Sequence, residues 1–431
     1  MGGCSPEEKV MKKKIVFVLS IIMILGLAGC GKNQTNIKEA DTSDNNEQMV
    51  QNIYKNKRTE VKQKISEIKE RMPETSAEDK GTCGGKAKWY YKDNTLIIYG
   101  EGVVTEDTWH KANTIIKTVV IDSGITKLEE DIFTGLGSEL GKNIENVYIA
   151  DDLEEIGMST FGNCDSLSEI VLPPSLYSIG AYAFANCDSL KNVYITDGLE
   201  EIGDSAFSGC KSLESIYIPR TVMTIGKGEF SRCNNLSDIE ISKDNSIFSI
   251  KNDCIINNNT KTLIYAMNKA LSIPDDVKCI AEDAFYGCEI DSLVVPEGVK
   301  EIEEGAFNYS KFVEIKLPDS LKIIGNYAFE NCSKLKSIYI PKSVNYIGNN
   351  IFHGCKALEN IEVDKDNTVY DSRNSCNAII ETARDKMIAA SSNTIIMDNV
   401  SDIANGIFAG FSILTDTYNK AKQINPNSFG N

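Results

Sequence analysis

A repeated pattern of apolar and polar positions occupies most of the chain from residue 128 onward. Residues 179–195, 202–218 and 324–340 each contain Ile-Gly, then Ala-Phe, Cys, Leu and a final pair of aliphatic residues separated by one position. Phe recurs at one place in the repeat, at Phe133, Phe161, Phe184, Phe207, Phe230, Phe285, Phe307, Phe329, Phe352 and Phe408. Most steps between neighbouring Phe residues are 22 or 23 residues, which indicates a repeat protein.

Each repeat predicts one strand followed by a short helical or bent segment. In residues 213–218, Ile216 and Ile218 point to one side of a strand and Tyr217 to the other. A single repeat has no second layer to bury its apolar face, so stacking must supply one. The period lies in the range of leucine-rich repeats. The predicted fold is therefore a strand-dominated α/β solenoid of leucine-rich repeats spanning residues 128–431.

Two repeats are longer than the others, near residues 242–279 and 364–402. The segments Lys243-Asp244-Asn245 and Lys365-Asp366-Asn367 begin the same pattern in both, offset by 122 residues. Each elongated repeat predicts a β-hairpin, and we expect both hairpins to extend from the solenoid. The Asp and Asn residues could bind calcium, but no loop with the ligand spacing of a calcium site accompanies them.

The N-terminus has the features of an exported protein. Three Lys residues at 12–14 precede the apolar stretch Ile15–Gly29, which is too short for a comfortable membrane span. The motif Leu27-Ala28-Gly29-Cys30 resembles the lipobox of bacterial lipoproteins. This resemblance implies a signal peptide over 1–29 and a lipid on Cys30 that holds the chain on the extracellular face of the membrane. Residues 7–11 can be encoded by a purine-rich stretch resembling a ribosome-binding site, so we expect translation to start at Met11. An uncleaved anchor helix is the alternative.

Residues 30–81 are polar and predict a stalk, within which residues 61–72 have apolar positions at helical spacing. Residues 82–127 predict an N-terminal β-hairpin cap. Together with the repeats, Thr82-Cys83-Gly84, Lys88–Tyr91 and Leu96–Gly100 resemble the BspA-like leucine-rich-repeat surface proteins, as does Cys376–Thr382. The resemblance covers residues 82–431 and implies adhesion and protein binding; the form of the C-terminal cap stays open.

The chain has 13 Cys residues, and seven of them form one column three positions after the repeat Phe. Two interpretations are open: buried free thiols, or disulfides between neighbouring repeats. Stacked coils hold parallel Cβ atoms slightly beyond the preferred disulfide spacing, which favours free thiols. No Cys-x-x-Cys motif occurs, so a zinc ribbon is not supported. The column consists of Cys164, Cys187, Cys210, Cys233, Cys288, Cys332 and Cys355.

Signals for catalysis are weak. His353 and Cys355 could form a nucleophile pair, but Cys355 belongs to the packing column. The acidic pairs 154–155, 200–201 and 303–304 recur at one place in the repeat, which favours solvated turn charge over a glycosidase site. We expect no cofactor and no metal. The formal net charge of −17 argues against a nucleic-acid partner, because phosphate binding needs a basic face.

The outward position of the repeat strands is the candidate binding surface. This outward column contains four Tyr residues that could contact a partner from a rigid scaffold, although Tyr also favours strands for packing alone. We expect the concave face around Tyr194 and Tyr217 to bind an extracellular protein or glycan, as in adhesion. The alternatives are a structural envelope lipoprotein without a dedicated ligand and, less well supported, a carbohydrate-active enzyme. The candidate contacts are Tyr148, Tyr194, Tyr217 and Tyr339.

Overall fold

The structure is a computed structural model that describes residues 40–109, 115–134, 141–267 and 270–430. The chain divides into two units, residues 1–60 and 61–431. The described part of the first unit is helical from residue 40 to residue 60 and continues the same helix, α1 (Ala40–Arg71), into the second. The predicted signal peptide and Cys30 lie outside the described residues. Within the described residues, no helix is long and apolar enough to cross a membrane.

The second unit is a strand-dominated solenoid of about 11 turns, each of which we call a coil. The strands of its first half are β1 (Asp79–Gly84), β2 (Ala87–Lys92), β3 (Thr95–Tyr99), β4 (Gly102–Val104), β5 (Thr118–Ile121), β6 (Ile125–Leu128), β7 (Asn146–Ile149), β8 (Glu155–Ile156), β9 (Glu169–Val171), β10 (Ser178–Ile179), β11 (Asn192–Tyr194), β12 (Glu201–Ile202), β13 (Ser215–Ile218), β14 (Thr224–Ile225) and β15 (Asp238–Ile241).

The second half continues the same arrangement after the first elongated repeat. Its strands are β16 (Phe248–Lys251), β17 (Cys254–Asn257), β18 (Thr262–Ala266), β19 (Cys279–Ile280), β20 (Ser292–Val294), β21 (Glu301–Ile302), β22 (Glu314–Lys316), β23 (Ile323–Ile324), β24 (Ser337–Ile340), β25 (Tyr346–Ile347), β26 (Asn360–Val363), β27 (Tyr370–Asp371), β28 (Ala378–Glu381), β29 (Lys386–Ala390) and β30 (Asp402–Ile403).

Each regular coil carries two strands rather than the single strand that the repeat predicts. The longer strands pair in parallel along one side, in the orders β9-β11-β13-β15 and β20-β22-β24-β26. Strands of two residues, such as β10 and β12, pair in parallel along a second side, with Ile179 beside Ile202. The Gly after each of these Ile residues lets the backbones stack, since a Cβ on Gly203 would lie 2.6 Å from the amide nitrogen of Ala181.

The core is a stack of aromatic rings, as the Phe spacing predicts. Ring centroids of Phe161, Phe184 and Phe207 lie 5.4 Å apart in nearly parallel planes. The stack breaks at the first elongated repeat, where Tyr265 meets Phe230 edge-on at 5.5 Å, and it resumes with Phe285. Both elongated repeats therefore mark junctions between hydrophobic clusters.

The hairpins of the elongated repeats do not extend from the solenoid, so that expectation is wrong. Strands β16, β17 and β18 pair antiparallel, and β18 then pairs in parallel with β19 as an ordinary member of the stack. Ile255, Ile256 and Leu263 are fully buried. Burial on both faces of the hairpin holds it inside the solenoid, because projecting it would expose these side chains to water. The second hairpin, β28–β29, pairs with β30 in the same manner.

Both ends of the solenoid are covered. At the N-terminal end, the antiparallel strands β1, β2 and β3 lead into the parallel stack through β5. At the C-terminal end, a short helix, α2 (Thr415–Ile424), and the segment Pro426–Phe429 close the core. There Phe429 stacks on Phe408 at 5.3 Å, which extends the aromatic column by one ring. The cap that the sequence leaves open is thus helical.

The end of α1 is part of the folded unit rather than of a free stalk. The apolar side chains of Val61, Ile65 and Ile68 are buried. Lys69 forms an ion pair with Asp122, and the phenol of Tyr90 donates a hydrogen bond to the carbonyl of Met72 at 2.9 Å. These contacts place residues 61–72 over the outward face of β2, β3 and β5. The helical spacing predicts this helix correctly. The expectation of a polar spacer that reaches residue 81 is wrong, because the apolar stripe of the helix over residues 61–72 is buried.

Candidate functional site

The outward column is formed by one side chain from each longer strand, in two parts. The first part contains Tyr148, Val171, Tyr194, Tyr217 and Glu240, and the second contains Val294, Lys316, Tyr339 and Glu362. Strand register places Tyr194 beside Val171 and Tyr217 beside Glu240. In the second part, Val294 lies beside Lys316 and Tyr339 beside Glu362. Parallel pairing therefore aligns the outward positions within β9–β15 and within β20–β26, whereas Tyr148 lies on β7 of the preceding sheet.

Most of the first part of the column is not open to a partner. Val171 is 4% exposed and Tyr217 is 5% exposed, whereas Tyr148 and Tyr194 are half-buried. The expectation that this stripe is exposed along its length is wrong at Val171 and Tyr217, because intramolecular contacts already cover those side chains. Partner binding by Tyr148, Tyr194, Tyr217 and Tyr339 stays a prediction, and Tyr339 is the best placed of the four.

The second part of the column faces solvent. Val294 is 62% exposed and Tyr339 is 44% exposed, and the flanking Lys316 and Glu362 are also exposed. Partial desolvation and a hydrogen bond to Asp364 raise the pKa of Tyr339 to about 12, so its phenol stays protonated at neutral pH. The backbone amide of Asp366, together with the bond from Tyr339, lowers the pKa of Asp364. This half thus presents an apolar side chain, an aromatic ring and both signs of charge on parallel strands.

The cysteine column is a ladder of buried thiols that bond to the backbone. Cys187 Sγ donates to the carbonyl oxygen of Phe161 in the preceding coil at 3.1 Å, and Cys332 and Cys355 repeat this contact. At the position where Ser310 replaces Cys, its hydroxyl donates to Phe285 at 2.7 Å in the same way. Burial raises the pKa of the Cys187 thiol. All 11 cysteines within the described ranges are unpaired in this structure.

The groups considered for catalysis have structural partners. His353 Nδ1 lies 2.9 Å from Glu330 Oε1, while the buried Cys355 thiol bonds to the carbonyl of Phe329. His353 and Cys355 therefore have separate partners. Of the acidic pairs, Glu155 bonds to Lys127 at 3.2 Å, and Glu303 bonds to Lys227 at 2.8 Å. His110 lies outside the described residues.

The two Asn residues considered for calcium binding instead hold the elongated repeats in place. Asn245 is 8% exposed, and its Nδ2 donates to the carbonyls of Pro219 and Val222 at 2.9 and 3.0 Å. Its Oδ1 accepts from the amides of Ile247 and Phe248 at 2.9 and 2.8 Å. Asn367 repeats all four bonds 122 residues later. In the described ranges, no cluster of three or more His, Cys, Asp or Glu residues fits a metal ion.

The repeat pattern alone does not reveal a cleft of about 510 Å³ at the second elongated repeat. Asn349 and Asn350 after β25, Asn405 after β30 and Asn425 at the end of α2 all line it. These residues are far apart in sequence and meet only because the elongated repeat interrupts the stack of two-residue strands. The one available signal is the local enrichment in Asn near the expected coil edges.

Comparison with known proteins agrees with this architecture. A sequence model of the BspA type leucine-rich-repeat region, in six copies, matches residues 139–262 and 265–380, which is more than half of the chain. None of the curated proteins matches at a significant level.

Two solved structures share the fold. A leucine-rich repeat protein from Eubacterium ventriosum is 21% identical, with a TM-score of 0.61 over 78% of this chain and 96% of its own. The pneumococcal vaccine antigen PcpA is 19% identical, with a TM-score of 0.57 over 82% of this chain and 98% of its own. Proteins of the BspA type are typically surface-associated binding proteins rather than enzymes. The chain belongs to the family of BspA-type leucine-rich-repeat proteins.

Proposed function

We propose that this chain is a lipid-anchored recognition protein of the bacterial cell surface that binds an extracellular protein in adhesion. The binding surface is the second part of the outward column, from Val294 to Glu362. The observation that carries the proposal is the exposure of Val294 and Tyr339 on rigid parallel strands. A Tyr held in this way loses little conformational entropy on binding, and Tyr is enriched among the residues that dominate the energy of protein interfaces, while Val294 adds apolar contact area.

The charges beside these residues support a protein partner. Lys316 lies between Val294 and Tyr339 on this column and Glu362 lies beside Tyr339, so apolar side chains alternate with side chains of opposite charge. Non-obligate protein interfaces likewise combine apolar area with polar contacts. The acidity of the chain, with 62 Asp plus Glu against 45 Lys plus Arg, makes contact with strongly anionic partners unfavourable.

The experiment is an array of extracellular proteins probed with the full chain and with two variants. The test variant Val294→Ser/Tyr339→Ser removes the two exposed apolar side chains of the column. The control variant Met223→Ser/Tyr346→Ser removes 56% and 52% exposed side chains from another face. We expect the test variant to lose at least tenfold in affinity for a bound protein and the control to keep it. Absence of any bound protein would favour a structural envelope lipoprotein.

The lipid anchor has a test of its own. The lipobox motif supports acylation of Cys30 after removal of the preceding residues. Incorporation of labelled palmitate into the protein in cells should disappear in Cys30→Ala and persist in Cys83→Ala, a change of a buried thiol in the solenoid. Labelling that survives Cys30→Ala would show that this residue is not the acylation site.

A further inference from the structure

Each elongated repeat interrupts the stack of two-residue strands and leaves a gap beside it. The first stack ends at β14, a second runs from β16 to β25, and a third begins at β27. At the first gap, the protein's own side chains span the space. Lys227 Nζ forms an ion pair with Glu303 Oε2 at 2.8 Å, and Ser231 Oγ donates a hydrogen bond to Asp283 Oδ2 at 3.1 Å.

At the second gap neither of these side-chain pairs recurs, and the cleft stays open. Asn349 takes the place of Lys227 in the repeat, and the gap encloses about 510 Å³. Asn425, on the far wall, donates from Nδ2 to the carbonyl of Ile403 at 2.7 Å and to Asn405 Oδ1 at 2.9 Å. The side chains of Asn349 and Asn350 make no hydrogen bond to any described residue, so their amides are available to a ligand.

The charge in this cleft is balanced. Lys386 and Asp402 lie on its wall and bond to each other at 2.9 Å, and the Lys386 ammonium lowers the pKa of the Asp402 carboxyl. The remaining polar groups are amides, each of which both donates and accepts hydrogen bonds. Tyr327, 36% exposed, adds an aromatic ring, and Ile347 and Ile388 add apolar surface.

We propose that this cleft, which we call the amide cleft, binds a neutral saccharide. The hydroxyl groups of a saccharide both donate and accept hydrogen bonds, as the Asn amides do. A sugar ring also has an apolar face that packs on an aromatic side chain such as that of Tyr327. A peptide added as a strand fits less well, because the amide of Ile347 on β25 already bonds to the phenol of Tyr370 at 3.0 Å. This site is separate from the outward column and does not depend on the proposed function of that surface.

The first gap suggests the variant that tests the proposal. Asn349→Lys/Asn425→Glu introduces side chains resembling the Lys227–Glu303 pair and fills the cleft. Asn345→Lys/Asn419→Glu makes the same chemical changes at two exposed residues outside it. A third variant, Tyr327→Asn, removes the ring at a backbone φ of 54°, a conformation that Asn tolerates. Thermal unfolding of each variant verifies that it is folded.

Binding is measured by titration calorimetry of the full chain with maltotriose, mannotriose, triacetylchitotriose and the anionic trigalacturonate, each up to 10 mM. We expect at least one neutral trisaccharide to bind and trigalacturonate to fail. Affinity should fall at least tenfold in Asn349→Lys/Asn425→Glu and about 3- to 10-fold in Tyr327→Asn. It should be unchanged in Asn345→Lys/Asn419→Glu, the control with two exposed substitutions. The proposal is overturned if no neutral trisaccharide binds, or if the filled variant and Tyr327→Asn both bind as the native chain does.

Discussion

Replacement of Asn245 should destabilise the protein more than replacement of any exposed Asn. Its side chain makes four hydrogen bonds of 2.8–3.0 Å, all to backbone groups around the start of the first elongated repeat. At about 0.5–1.5 kcal/mol for each bond, Asn245→Ala should lower the free energy of unfolding by about 2–6 kcal/mol. Asn367→Ala removes the same four bonds at a half-buried site, where water replaces part of them, so its cost should be smaller.

The Asp variant separates hydrogen bonding from packing. In Asn245→Asp a carboxylate oxygen faces the carbonyls of Pro219 and Val222, which raises the pKa of that carboxyl in the folded state above its unfolded value. The folded state then binds the proton more tightly, so the deficit of this variant relative to the native protein should shrink as the pH falls through the folded pKa. The gain is complete below the unfolded pKa of about 4.

The assay is urea unfolding followed by circular dichroism, at pH 7 and pH 4, with and without calcium. Asn259→Ala, at the exposed hairpin turn, is the control and should change stability by no more than about 0.5 kcal/mol. Equal stabilities of Asn245→Ala and Asn259→Ala would refute the structural role of Asn245. Stabilisation by calcium that is present in the native chain and lost in Asn245→Ala would show instead that this residue binds the ion.

Three further changes test the packing and charge of the solenoid by the same unfolding assay. Cys187→Ser should lower the free energy of unfolding by less than about 1 kcal/mol and Cys187→Ala by about 1–3 kcal/mol. The hydroxyl of Ser keeps the hydrogen bond to the carbonyl of Phe161, as Ser310 does with Phe285. Equal losses in the two variants would show that the thiol hydrogen bonds do not stabilise the solenoid. Asp283 has a pKa raised by burial to about 6, so Asp283→Asn should stabilise the protein by about 1–3 kcal/mol at pH 7 and much less at pH 4. The difference in stability between Asp283→Asn and the native chain should therefore narrow over that fall in pH, and a difference that stays the same would exclude Asp283 as a source of the pH dependence. Ile68→Ala, at a buried position of α1, should lower the free energy of unfolding by about 1–3 kcal/mol, and Lys64→Ala should leave it almost unchanged. Equal stabilities of the two variants would show that the end of α1 is detached from the solenoid in solution.

Much of the fold follows from periodicity in the sequence. The 23-residue step from Phe184 to Phe207 predicts the aromatic stack, because repeats in register place equivalent side chains above one another. The short strand before each Gly is not predicted, because two residues such as Glu201-Ile202 are too few to show the alternation of apolar and polar positions that indicates a strand. Consecutive buried residues in the hairpin, Ile255 and Ile256, are typical of a strand covered on both faces, which explains why the hairpin does not project.

The sequence pattern does not predict which outward side chains are covered by other parts of the chain. Alternation along a strand identifies Tyr217 as outward, but it does not show whether another part of the chain covers that side. The spacing of Val61, Ile65 and Ile68 predicts an amphipathic helix, while its packing over the sheet depends on tertiary contacts such as Lys69 with Asp122. The amide cleft likewise depends on residues brought together by the stacking of distant repeats.

Hydroxyl-radical footprinting of the bound complex reports on the exposure of individual side chains, so it shows whether the partner covers the second part of the outward column. Tyr339 and Tyr346 are similarly exposed in the free chain, at 44% and 52%, and lie on different faces. With the protein partner from the array bound, we expect the oxidation rate of Tyr339 to fall several-fold and that of Tyr346 to stay unchanged. An unchanged rate at Tyr339 with protection at Tyr346 would place the partner on another face and contradict binding by the outward column.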